Sequence, residues 1–183
     1  MATLKEKWST YPVWRKILIS ILLSLSILTI LIVVLICIFA EDKIVATVED
    51  FKKVPMFSQS EMNIINRKGG TEYNWKNVSM LGNPNFVTLY DDNSDEKIDQ
   101  ILMVVMILFN DPRTTVEAIG ILYKVTTLAA GTDISIEKYT DLIEECIKKG
   151  EVQKRYGTIV EGLNYTPATG GGVILASINE KKK

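Results

Sequence analysis

The chain has 183 residues, with 21 basic and 22 acidic side chains and no histidine. This near balance of charge argues against non-specific binding to nucleic acid, so no nucleic-acid partner is expected. The lack of histidine removes the commonest general base, metal ligand and pH-sensitive group. Cys37 lies in a long apolar run and Cys146 lies far from it, which argues against a fold stapled by disulfides.

A long apolar run near the N-terminus predicts a membrane span. Residues 17–40 carry no charge, and 24 residues at about 1.5 Å per residue reach about 36 Å, more than the roughly 30 Å of a bilayer core. We therefore predict a transmembrane helix that acts as a signal anchor. A signal peptide cleaved near Ala40 is the alternative, although its apolar core is normally only about 7–15 residues long.

Basic and aromatic residues before this run predict its orientation. Basic residues favour the cytoplasmic side, and tryptophan favours the membrane surface. The predicted membrane-anchor residues are Trp8, Trp14, Arg15 and Lys16. The resulting layout is a cytoplasmic tail over 1–16, the helix over 17–40, a stalk over 41–54 and one domain outside the cytoplasm over 55–183. Ser20 and Ser24 are spaced so that two such helices can pack closely, giving a homodimer hypothesis; hydrogen bonds to their own helix are the alternative.

The first part of the domain has the composition of a surface loop. Residues 55–85 are rich in Asn, Gly and Ser, and Gly69-Gly70 and Asn83-Pro84 are typical breakers. Long loops of this kind are either functional or disordered. The sequence thus predicts a protein-binding loop, with a disordered spacer as the alternative. The candidate partner contacts within it are Tyr73, Trp75 and Met80.

The middle of the domain favours helices after one short strand at 86–90. Asn93 and Glu96 have capping-box spacing, and residues 101–109 are apolar without a break, which predicts a buried helix over 93–109. Thr114 and Glu117 have the same capping spacing, so a helix is predicted from 114 to 130, followed by another over 136–149. A membrane-embedded hairpin of residues 98–109 and 114–130 is a weaker alternative.

The C-terminal part changes to strand-like patterning. Residues 158–165 and 173–178 predict two strands joined by a Gly-rich turn. The predicted fold class is therefore α+β: one N-terminal transmembrane helix followed by a small, mainly helical domain with a short β-sheet or C-terminal hairpin.

No motif in the sequence assembles a reaction centre. Asp91, Asn93 and Asp95 match the first ligand positions of a calcium loop, but Glu96 stands where glycine is needed and Leu102 where the last glutamate is needed. Helix capping explains the same residues. We predict no catalytic, cofactor-binding or metal-binding residues.

The function predicted from the sequence is therefore structural. We expect a non-enzymatic, single-pass membrane protein that lies in the lipid bilayer and serves as an accessory or scaffolding subunit of a membrane-associated assembly. It would bind protein partners through its domain outside the cytoplasm. The alternatives are a ligand-binding or sensory protein and, less favoured, a membrane-tethered enzyme.

Overall fold

The computed structural model describes residues 12, 21–22, 24–31, 44–93 and 97–180. The chain divides into two compact units, residues 1–41 and 42–183. In the first unit, residues 21–22 and 24–31 are helical. The hydroxyls of Ser26 and Thr29 donate hydrogen bonds to backbone carbonyls four residues earlier, as such side chains do in apolar helices.

The predicted transmembrane helix is contradicted. Among the described residues, no helix combines the length and the apolar character needed to cross a membrane. The same finding contradicts the predicted single-pass membrane location. The predicted anchor residues Trp8, Trp14, Arg15 and Lys16, like Ser20, lie outside the described residues.

The second unit is built around a β-sheet. In chain order its elements are α1 (Val48–Lys52), α2 (Pro55–Ser58), β1 (Glu61–Arg67), β2 (Gly70–Lys76), β3 (Phe86–Asp91), β4 (Gln100–Leu108), α3 (Pro112–Ala130), α4 (Ile136–Lys149), β5 (Glu151–Tyr156), β6 (Ile159–Ala168) and β7 (Gly171–Glu180).

The seven strands found in the described part of the chain form one antiparallel sheet with the order β1-β2-β3-β4-β7-β6-β5. Two meanders, one of four strands and one of three, are joined by the helices α3 and α4. The last strand, β7, returns to pair with every residue of β4. The predicted mainly helical domain is therefore wrong, because the sheet is the main element of this unit.

The largest error concerns residues 93–109. A helix was predicted there, but residues 100–108 form β4 between β3 and β7, and residues 94–96 lie outside the described part. Ile101, Met103, Val105 and Ile107 are buried on one face, while the intervening side chains are also apolar and line the other face. A strand that is apolar on both faces has no period of two, so periodicity cannot distinguish it from a buried helix.

The predicted long loop over 55–85 is mostly ordered secondary structure. It holds α2 and a hairpin of β1 and β2, whose register closes with Arg67 opposite Gly70 across the two-residue turn Lys68-Gly69. β1 has many polar residues because it is an edge strand and most of its side chains face solvent.

The predictions for the later elements are confirmed. The helices α3 and α4, the strand β3 and the strands β6 and β7 all lie where the sequence places them, within a few residues. The cap of α3 differs from the predicted Thr114 and Glu117: the carboxylate of Asp111 accepts the backbone N–H of Arg113 at 3.1 Å, and Pro112 follows as the first helical residue. Glu117 is thereby free for another contact.

The core lies between the helices and one face of the sheet. The buried aromatic side chains of Phe51, Phe57 and Trp75 pack together, with ring centroids 5.5–6.4 Å apart. Phe51 belongs to α1, inside the predicted stalk, so this segment contributes to the core of the second unit. On the opposite face of the sheet, the apolar side chains of Phe86, Val104 and Leu175 are exposed.

Candidate functional site

Residues 77–85, here called the β2–β3 loop, form an ordered loop beside the N-terminal turns of α3. Val78 and Asn85 close its base, with the Val78 N–H donating to the Asn85 carbonyl at 2.9 Å and the Asn85 side-chain amide donating to the Val78 carbonyl at 3.3 Å. The Asn85 side-chain oxygen also accepts the backbone N–H of Met106 in β4 at 3.0 Å. Asn85 is buried, and both the nitrogen and the oxygen of its side-chain amide are hydrogen-bonded, so it attaches the loop to the sheet.

The tip of this loop is held by Glu117, in the second turn of α3. Its carboxylate accepts four hydrogen bonds: from the Ser79 hydroxyl at 2.7 Å, the Asn83 side-chain amide at 2.9 Å, the Met80 N–H at 2.5 Å and the Leu81 N–H at 3.0 Å. Hydrogen bonds to a charged acceptor are stronger than neutral ones. One carboxylate therefore fixes the backbone of the loop tip on the helix.

The same contacts set the protonation state of Glu117. Partial burial acts to raise the pKa of this carboxyl, but the hydrogen bonds from Ser79, Asn83, Met80 and Leu81 outweigh it, so the pKa lies below its ordinary value. The carboxylate therefore stays ionised in mildly acidic solution. The stabilisation that it contributes is present above its ordinary pKa and is lost as the pH falls through the lowered pKa.

We expect Glu117→Ala to release the loop tip and to cost about 1–2 kcal/mol of folding stability, because the donors regain only partial compensation from water. Hydrogen exchange would detect the release as faster exchange at the Met80 and Leu81 amides. Glu137→Ala is the matched control, since Glu137 is an exposed helical glutamate with no partner in the described part of the chain. Unchanged exchange in Glu117→Ala would contradict this role.

Between the fixed loop and α3 lies an open apolar groove of about 470 Å³. Its rim carries large apolar side chains that face solvent: Met80 is 71% exposed and Val116 is 69% exposed, with Leu81 beside them at 50%. The complete lining is Met56, Ser79, Met80, Leu81, Pro112, Arg113, Val116, Glu117, Gly120 and Ile121. Contiguous exposed apolar surface of this kind is typical of binding sites.

The groove has a glycine in its lining on α3. Apart from the adjoining backbone of α3, no heavy atom of the described residues lies within 4 Å of the position that a Cβ on Gly120 would occupy. A glycine inside a helix normally costs about 1 kcal/mol relative to alanine. Here its absent side chain leaves the space between the loop and the helix open.

We expect Gly120→Ala to raise the free energy of unfolding by about 1 kcal/mol, because the new methyl group meets open space and the helix gains propensity. Chemical denaturation of both proteins would measure the difference. A loss of stability in Gly120→Ala would show that the position is tightly packed and would contradict the open groove.

The three predicted partner contacts are distributed differently by the fold. Met80 lies on the rim of the groove, Tyr73 is half-buried against the core, and Trp75 is only 1% exposed. The structure therefore does not bring them together as one surface. Sequence reasoning missed Glu117, which was assigned to a helix cap, and Gly120, whose place inside a helix is the signal that a packing or functional reason exists.

A second polar cluster lies inside the core. The carboxylate of Glu161 in β6 accepts hydrogen bonds from the hydroxyls of Tyr139 at 2.6 Å and Thr126 at 2.7 Å, and its second oxygen has no hydrogen-bond partner among the described residues. Burial raises the pKa of Glu161 to about 7, against the opposing effect of these hydrogen bonds. All three residues are fully buried, so no solvent-borne molecule reaches them in this conformation.

The acidic segment after β3 forms local turns. The side chain of Asp91 accepts the backbone N–H of Asn93 at 3.2 Å, and the side chain of Asp99 accepts that of Asp92 at 2.7 Å. Asp95 and Glu96 lie outside the described residues. Within residues 12, 21–22, 24–31, 44–93 and 97–180, no group of three or more acidic or cysteine side chains is arranged to hold a metal ion.

Comparison of the chain with models of protein families, with curated proteins and with solved structures finds no match.

Proposed function

We propose that this chain is a non-enzymatic accessory or scaffolding protein that docks a protein partner in the groove between the β2–β3 loop and α3. The observation that supports this most is the fixation of exposed apolar side chains by Glu117. Its four hydrogen bonds fix the loop so that the side chains of Met80 and Leu81 remain exposed to solvent beside Val116. Such apolar side chains normally stabilise a fold by being buried.

The chemistry of the groove favours an apolar segment of a protein with an acidic residue beside it. Arg113 stands at the rim with an 82% exposed side chain, and among the described residues this side chain contacts only the Asp111 carboxylate, through its Nε atom at 3.4 Å. The carboxylate of Glu117 already accepts hydrogen bonds from the β2–β3 loop. A partner carboxylate next to its apolar anchor would therefore meet a cation that is positioned to bind it.

This lining favours a protein segment over a small ligand. Sites for small molecules usually combine an apolar wall with several convergent polar groups that fix orientation. The polar groups of Ser79 and Glu117 are bound to each other and to the loop, so they are not directed into the groove. The exposed apolar rim around Met80 and Val116 matches the hydrophobic anchor sites found in protein interfaces.

Selection of peptides on the full-length chain tests the proposal. A random peptide library would be panned on the protein and the affinity of the enriched peptides measured. We expect peptides with two or three spaced apolar residues and a neighbouring Asp or Glu. Their affinity should fall about ten-fold or more in Gly120→Leu, whose side chain fills the groove, and should fall less in Arg113→Ala, which removes only a rim charge.

Gly120→Ala is the matched control, since its single methyl group leaves most of the groove open. Thermal unfolding would establish that both variants fold. Enriched peptides that lack the apolar and acidic pattern, or that bind Gly120→Leu as tightly as the unaltered chain, would contradict the proposal.

A further inference from the structure

The strand β1 leaves one edge of the sheet open. It is an edge strand of the sheet: it pairs with β2 on one side, and no described residue pairs with its other side. An open strand edge presents backbone N–H and C=O groups that can template another strand. This edge is separate from the groove on α3, and the inference drawn from it is independent of the function proposed above.

The register identifies the backbone groups that point outward. The two-residue turn is closed by Arg67 opposite Gly70, which is the hydrogen-bonded pair next to such a turn. Because hydrogen bonding alternates along an antiparallel ladder, Met62, Ile64 and Asn66 direct their backbone groups away from β2. These three residues offer the pairing groups of the open edge.

The two edges of the sheet differ in how they are protected. Proteins usually block exposed edges with charged residues, bulges or proline. The opposite edge strand, β5, carries exposed Lys154 and Arg155, whereas the middle of β1 carries Ile64, 53% exposed, and Ile65, 43% exposed. The centre of β1 therefore lacks the charge that would disfavour pairing.

The sequence of β1 is complementary to itself when it is reversed. In an antiparallel pair of two copies centred on Ile64, Glu61 of each copy lies opposite Arg67 of the other, and Ile64 faces Ile64 on the two-fold axis. Glu61 is exposed and has no partner among the described residues. Arg67 is 66% exposed at the side chain and contacts Glu72 through one terminal nitrogen at 2.5 Å, which leaves other donors of its guanidinium available.

We propose that two copies of this chain associate through their β1 edges, in an antiparallel arrangement centred on Ile64, and join two seven-stranded sheets into one continuous sheet. Backbone hydrogen bonds at Met62, Ile64 and Asn66 supply the attraction. The two symmetry-related pairs of Glu61 with Arg67 select this register over its neighbours. The interface is small, so the dimer dissociates on dilution.

Sedimentation velocity of the full-length chain over a range of concentrations tests this dimer. We expect a monomer–dimer equilibrium in the unaltered protein and a dimer at least about ten-fold weaker in Ile64→Lys, because two like charges then face each other on the axis. Ile136→Lys is the matched control, since Ile136 is 48% exposed on α4, away from the edge. A chain that stays monomeric, or a dimer that Ile64→Lys leaves unchanged, overturns the proposal.

A crosslink tests the register separately. In a Cys37→Ser background, mild oxidation should link two copies of Ile64→Cys, because the Cα atoms of a directly opposed, hydrogen-bonded pair lie about 5.5 Å apart, within disulfide range. Ile65→Cys should link poorly, since each introduced thiol would lie opposite Asn63 of the other copy. Equal crosslinking at both positions overturns the proposed register, and thermal unfolding identifies any variant that fails to fold.

Discussion

The free energy of unfolding should fall by about 3 kcal/mol as the pH rises from 4.5 to about 7, because of Glu161. Its ordinary pKa of 4.5 is raised to about 7 by burial. The folded state therefore binds a proton that the unfolded state has already lost in this range. The stabilisation is complete below pH 4.5 and is lost as the pH rises through 7. The full shift of 2.5 pH units at about 1.4 kcal/mol each corresponds to about 3.5 kcal/mol, most of which is lost within this range.

Other carboxylates act at lower pH and with the opposite sign. Asp50 has its pKa lowered to about 2 by the backbone and hydroxyl of Thr47 and by Lys53, and hydrogen bonds also lower the pKa of Glu117 against the effect of its burial. Their contributions are lost as the pH falls below about 4. The window between pH 4.5 and 7 therefore reports mainly on Glu161.

Glu161→Gln should remove this pH dependence. The amide oxygen can still accept the hydrogen bonds from Tyr139 and Thr126, but the side chain no longer titrates. Denaturant unfolding at about pH 5 and about pH 8 should give nearly equal stabilities for the variant and clearly different ones for the unaltered chain. Glu151→Gln, at an exposed glutamate of β5, is the control. A stability of the unaltered chain that is flat across this window would contradict the assignment.

Trp75→Ala should cost about 3–5 kcal/mol of folding stability. The indole is 1% exposed and lies 5.6 Å from the ring of Phe57 and 6.4 Å from that of Phe51, centroid to centroid. Its removal leaves a cavity that α1, α2 and β2 line together. Equilibrium denaturation would measure the loss.

Met80→Ala is the matched comparison, because Met80 was predicted alongside Trp75 as a partner contact. Its side chain is 71% exposed, so we expect its removal to change stability by less than about 0.5 kcal/mol. It should instead weaken the binding of peptides selected on the groove. Similar losses of stability in the two variants would contradict the different places assigned to these residues.

Local signals predicted the later part of the fold well. Gly131 and Gly150 end α3 and α4, and the amphipathic pattern between these signals is that of half-buried helices. The strand β4 was mistaken for a helix because the side chains of Leu102, Val104 and Met106, on its second face, are as apolar as the side chains on its first face. Only the pairing of β4 with β3 and β7 decides that this run is a strand, and such long-range pairing has no local signature.

The groove could be predicted only in part. Met80 stood out as an apolar residue in a polar segment, and Gly120 as a glycine inside a helix. Glu117 fitted a capping box, and nothing local shows that its true partners are Ser79 and Asn83, more than thirty residues earlier. The burial of Glu161 also could not be predicted from local sequence, because its hydrogen-bond partners Tyr139 and Thr126 come from two different helices.

Hydrogen exchange of the full-length chain, with and without the tightest-binding peptide from the library, tests the proposed docking groove most directly. We expect bound peptide to slow exchange in residues 77–85 and in the first half of α3, and we expect Gly120→Leu to abolish this slowing. Slowing confined to other segments, such as β1 or the open face of the sheet, or slowing that persists in Gly120→Leu, would contradict the groove as the site where this protein meets its partner.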